Sequence, residues 1–138
     1  MAEIVFLVTK IPCNSVTKRQ DQTLNVRVNF TYKGPAKTGR LGAVVTQQII
    51  LAGVVVDEFD EIDSTGKEVD LILPDSPETQ NFATDIIGLP LAGCKPKSGY
   101  GIKVYVLDLD GKPESGCLNI LTVRSFAPEL NITSLTVS

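Results

Sequence analysis

Thr23-Leu24-Asn25-Val26-Arg27-Val28-Asn29-Phe30-Thr31-Tyr32-Lys33 alternates without a fault. Leu24, Val26, Val28, Phe30 and Tyr32 fall on one side, and Asn25, Arg27, Asn29, Thr31 and Lys33 on the other. Successive side chains of a strand point to opposite faces, so the stretch reads as one β-strand with one face in a core and the other in water. It stops at Gly34-Pro35, where proline lacks the N–H that a ladder needs. A second apolar run starts at Leu41, after Thr38-Gly39, so the chain doubles back into a hairpin or crosses to a facing sheet.

Toward the N-terminus, Ile4 to Val8 is apolar on both faces, with Ile4, Phe6 and Val8 on one and Val5 and Leu7 on the other. Five apolar residues without a basic leader are too few for a signal peptide or a membrane span. The expectation is a first strand in a protein made in the cytoplasm without a cleaved signal, or found on a surface if the chain is an excised domain. Toward the C-terminus, Leu41 to Val45 continues as strand. Ile49 to Val56, broken only by Gly53, reads as a buried strand from its β-branched residues. An acidic run, Asp57 to Asp63, leads to a turn at Ser64 to Lys67, then to a strand carrying Val69, Leu71 and Leu73. Asp75 to Thr79 has loop composition, and a short strand is expected around Ile86, Ile87 and Leu89. Gly93 to Gly99 is again a loop. Tyr100, Ile102, Val104 and Val106 alternate, Asp110-Gly111 signals a tight turn, and Leu118 to Val123 returns. Leu130 to Val137 alternates weakly, as a last edge strand or an arm that leaves the body.

Strand-like segments separated by turn signals, with no amphipathic helix, predict an all-β fold: an antiparallel β-sandwich with Greek-key links. The 138 residues make one domain, 1–138, able to bury a core without staples, with 1–10 and 130–138 as edge strands or assembly arms. Cys13, Cys94 and Cys117 are expected as small buried thiols. Cys94 and Cys117 fall at opposite ends of the last hairpin, too far apart to bridge.

The Phe30-Thr31-Tyr32-Lys33-Gly34-Pro35-Ala36 segment, Gly39-Arg40-Leu41, Phe59-Asp60-Glu61-Ile62 and Tyr100-Gly101-Ile102-Lys103-Val104-Tyr105-Val106 together resemble immunoglobulin-like or fibronectin-type-III-like modules over about residues 22–125. Such modules recur in bacterial surface proteins and in phage virion proteins. The resemblance implies an immunoglobulin-like Greek key and brings over no catalytic residue. The chain has no tryptophan, so the Cys-Trp-Cys core of true immunoglobulin domains is missing.

Chemistry is limited by what the chain lacks. There is no histidine, which removes Ser/His/Asp and Cys/His nucleophile schemes and histidine metal sites. A carboxylate pair could still serve a glycosidase, but such a site wants an aromatic-lined cleft and aromatics are 6% of the chain. The expectation is therefore no enzyme and no cofactor. Asp57 and Asp60 are the weighed calcium candidates in the acidic run, but alternation divides them between faces. Asp108 and Asp110 share a fragment with calcium loops, which a hairpin turn explains better. Asn29-Phe30-Thr31 and Asn131-Ile132-Thr133 match the glycan acceptor pattern by chance. A net charge of −3 without a dense basic stripe argues against nucleic acid. The charge is uneven along the chain: residues 1–42 carry +5 and residues 43–138 carry −8.

Together these readings predict a non-enzymatic structural or interaction module that assembles with itself or with a larger particle, as a virion decoration or tail component or a filament subunit. Its interface candidates are Ile4, Val5, Phe6, Leu7, Leu130, Ile132 and Leu135. Homo-oligomer, virion or filament partners are expected, with neither nucleic acid nor membrane. The alternative is a carbohydrate-binding or surface-adhesion module of a bacterial surface protein, disfavoured by three tyrosines and no tryptophan.

Overall fold

The computed structural model describes residues 8–109, 114–126 and 130–138. Eleven strands occupy most of them: β1 (Thr9–Lys10), β2 (Val16–Arg19), β3 (Thr23–Val26), β4 (Asn29–Gly34), β5 (Lys37–Leu51), β6 (Val54–Glu61), β7 (Lys67–Leu73), β8 (Ser76–Ala83), β9 (Ile87–Pro90), β10 (Lys97–Leu107) and β11 (Glu114–Arg124). Among the described residues a single 3-10 turn, Asp63–Thr65, is the only helical element.

Three long strands, β5, β10 and β11, form the centre of a seven-stranded sheet. On its far side β5 pairs with β7 along Lys37–Ala43 and with β6 along Thr46–Leu51. Both partners run antiparallel to β5, so β6 and β7 are one return strand interrupted by the 3-10 turn. Thr65 bridges the interruption. Its hydroxyl accepts the Val45 N–H at 2.9 Å and donates to the Ile62 carbonyl at 2.7 Å, replacing the missing ladder partner. At the other edge β11 pairs in parallel with β1 and β2. The sheet is therefore mixed where the sequence predicts antiparallel pairing throughout. The alternation of a strand fixes which face it buries, not the direction of its neighbour.

The second layer is a ribbon. The stretch Thr23–Lys33 lies opposite Ser76–Pro90, with the alternation in the predicted sense: Leu24 buried, Val26, Val28, Phe30 and Tyr32 half-buried, and the residues between them exposed. It is two strands, however, and not one. β3 pairs with β9 and β4 with β8, and the register slips by one residue between Val26↔Ile87 and Asn29↔Ala83. The Val28 N–H goes to the Thr84 hydroxyl at 3.0 Å, and the Thr84 N–H to the Val28 carbonyl at 2.9 Å, holding the seam. Asp75 to Thr79, read as loop from its composition, is mostly strand. Pro77 sits at the start of β8, where its missing N–H costs little.

The core lies between this ribbon and one face of the sheet. Leu24, Ile87, Leu89 and Leu91 meet Leu41, Ala43, Val45, Tyr100, Ile102, Leu121 and Val123. The other face of the sheet is concave. Gly42, Gly101 and Gly116 stand on it, the Tyr105 ring lies against Gly42, and the Phe59 ring covers Gly116, 2.6 Å from where a Cβ would be. Without side chains at these points the sheet curls, bringing β6 over β11 into a half-barrel. A salt bridge from Lys10 to Glu58, 3.0 Å, spans the same opening.

The cysteines depart from the expectation of three buried thiols. Cys13 is exposed and bridged to Cys117, with α-carbons 6.2 Å apart. Cys94 alone is free and buried. The pair was hidden because the exposed segment before β2 runs beside β11, a contact that no local pattern announces.

Candidate assembly surfaces

Among the described residues, three places group apolar surface without cover. The first is the tip of the β5–β6 hairpin. Ala52 and Gly53 both adopt positive φ, 51° and 79°, as a two-residue primed turn requires. The turn falls in the middle of Ile49–Val56, so that run is not one buried strand but the paired, exposed end of the β5–β6 hairpin. Ile50, Leu51, Val54, Val55 and Val56 are 44–62% exposed on it. Gly53 was the available signal: an apolar run with a glycine after alanine can fold back on itself as readily as continue.

The second is the C-terminal segment. Residues 130–138 carry no regular structure, and Leu130, Ile132, Leu135 and Val137 are 80–88% exposed. Leu130, Ile132 and Leu135, named as interface candidates from sequence, thus stand free as an arm and not as an edge strand. Ile4, Val5, Phe6 and Leu7 lie outside the described residues.

The third was not legible in sequence. Between β4 and the main sheet runs a groove of about 600 Å³, walled by Val28, Phe30 and Tyr32 on one side and by Leu71, Leu73, Val104 and Val106 on the other. These side chains are the inward-facing ones that alternation predicts as core. Leu71 and Leu73 are buried, but Val28, Phe30, Tyr32, Val104 and Val106 stay half-buried, because the ribbon packs on the core cluster chiefly through its β3–β9 end.

The charged groups serve the concave face. Lys103, 9% exposed, pairs with Glu61 across the curl. Burial works to lower its pKa, but the hydrogen bond and charge of Glu61, with Glu114 and Asp57 nearby, more than offset this and hold the amine above the ordinary lysine value. Of the calcium candidates, Asp57 accepts the Phe59 N–H at 3.0 Å and Asp60 accepts from the Gln47 amide at 3.2 Å. Asp108 is an exposed residue at φ 64°, and Asp110 lies outside the described residues. Among the described residues no three acidic or cysteine side chains converge as a metal site would need. Burial raises the Cys94 thiol, against a smaller lowering by Lys97, which disfavours the thiolate a nucleophile would use.

No protein-family model matches the chain, and no curated protein matches it in sequence. Among the described residues no helix is long and apolar enough to cross a membrane.

Proposed function

We propose that the protein is a non-enzymatic building module that assembles with copies of itself, as a repeated subunit of a larger particle such as a virion component, a filament or a surface array. The observation that carries this reading is the uncovered C-terminal segment, whose four aliphatic side chains are 80–88% exposed. Aliphatic residues alternating along an extended tail gain nothing in water, and gain substantially when a neighbour covers them. The apolar hairpin tip offers a second contact of the same kind, and the Lys103 and Cys94 environments are accounted for by packing. An immunoglobulin-like Greek key is the finer description we favour for the fold. It is supported by the crossing from the β3/β4 ribbon into β5 and by the early β2 joining the last strand, β11, in parallel. The Cys13–Cys117 bridge favours a working place outside the reducing cytosol, as a virion or cell surface offers.

Mass in solution tests the reading. The intact chain should grow in mass with concentration from the monomer toward larger species. The chain carrying Ile132→Asp and Leu135→Asp should stay at monomer mass with its melting temperature unchanged, since neither side chain covers the core. An intact chain that remains monomeric at millimolar concentration would refute assembly.

A further inference from the structure

We infer that the groove between β4 and the main sheet is the seat for the Leu130–Val137 segment of a second copy of this chain; the inference rests on the assembly reading above. Five consecutive residues, Val28 to Tyr32, line the groove. The inward side chains Val28, Phe30 and Tyr32 wall the groove, and Asn29 and Thr31 between them line it too, so it reaches the edge of β4 as well as its inner face. Among the described residues β4 pairs with β8 alone, so its other edge offers unpaired backbone N–H and C=O groups to an incoming strand.

The C-terminal segment fits this seat in length, charge and pattern. β4 is six residues long, roughly 20 Å at a strand's rise, which matches the span from Leu130 to Val137 to within a residue or two. Residues 130–138 contain no charged side chain, so none has to be desolvated on entry. Leu130 and Ile132 fall on one face of an extended segment and Leu135 and Val137 on the other. That shift is a defect for a strand lying on one sheet. It suits a groove with an apolar wall on each side, β4 on one and β7 with β10 on the other.

Chain length favours a neighbour's segment over the molecule's own. The groove lies at the Ser115 end of β11: Ser115 lines it, and Val104, which also lines it, pairs with Ser115. The C-terminal segment leaves from the other end, after Arg124. A bulge sets the four steps from Cys117 to Leu121 against two on β10, so the two ends are about 23 Å apart along the strand. Six residue steps from Arg124 to Leu130 reach at most about 20 Å, so the molecule's own segment would come to the near end of the groove only with its linker fully drawn out. A second copy brings the segment in free of that constraint. An arm at one end entering a groove at the other is a heterologous contact, which builds rings or filaments and not two-fold dimers.

The experiment uses a synthetic peptide of residues 130–138 with a fluorescent label. Added in excess to the intact, assembled protein, it should return the mass to that of the monomer. Its binding to the Ile132→Asp/Leu135→Asp chain should weaken at least about tenfold when Leu109→Glu is added at the groove rim, as loss of an interface anchor does. Leu109→Met should leave it unchanged. Should Leu109→Glu fail to fold, Tyr32→Lys on the opposite wall takes its place, with the melting curve as control. A peptide that binds equally with and without the groove substitution overturns the seat. So does a peptide that leaves the assembly intact, or displacement by a hairpin peptide of residues 49–56 in its stead. In those cases assembly itself stands. An intact chain that never assembles removes both readings.

Discussion

The two ends of one ribbon carry the same alternation and end in different states. At the β3–β9 end, Leu24, Ile87 and Leu89 are 4%, 3% and 0% exposed. At the β4–β8 end, Val28, Phe30 and Tyr32 face the same way and remain half-buried over an open groove. The difference does not lie in the alternation of the stretch, which is the same at both ends. It lies in what faces it. Leu91, Tyr100, Leu121 and Val123 meet the closed end, whereas at the open end β4 faces the groove, with Val104 and Val106 half-buried across it and only Leu71 and Leu73 of that wall buried. An inward-facing residue is a candidate for burial, and only its opposite number completes it.

Substitutions at matched positions should break this comparison if it is wrong. The largest effect is expected at the closed end. Leu89→Ala removes a fully buried side chain and should cost about 3 kcal/mol, read from the urea midpoint. Phe30→Ala at the open end should cost about 1.5 kcal/mol, below the usual range for a buried phenylalanine, because the ring is only half-buried; the loss includes its stack on Phe82, 5.6 Å between centroids. Equal costs at the two positions would mean that the groove is closed in solution. The smallest effect belongs to the seam. Thr84→Val removes the acceptor of the Val28 N–H and should cost about 1 kcal/mol, with faster amide exchange confined to Val28 and its neighbours.

Much of the secondary structure was legible because it is written in local alternation: Val69–Leu73, Tyr100–Val106 and Leu118–Val123 are strand, and Thr23–Lys33 is strand with the anticipated faces but for the break at Arg27–Val28. What was hidden depends on relations between distant residues. Ile49–Val56 contains too few polar residues for its fold-back to show against the general apolar background, and only the positive φ of Ala52 and Gly53 places the turn. The slip at Arg27–Val28 leaves no trace in the alternation, because the extra residue sits in the partner strand near Asp85 and Ile86. The parallel edge, the Cys13–Cys117 bridge and the groove are matters of which segment lies beside which. The glycines of the concave face could have been read as a curl only with Phe59 and Tyr105 already known to lie over them. The C-terminal interface candidates Leu130, Ile132 and Leu135 are exposed.

The bridge between Cys13 and Cys117 closes a loop with a sequence separation of 104, and thereby encloses nearly the whole body of the domain. If neighbouring copies hold one another by an arm at one end and a groove at the other, a pull on the assembly runs through each subunit. A tether between residues 13 and 117 gives that tension a covalent path around the middle of the domain. The lengths that can be drawn out are then the one between Cys13 and the groove wall at Val28 and the one beyond Cys117. Under oxidising conditions each link would stretch by tens of residues and stop.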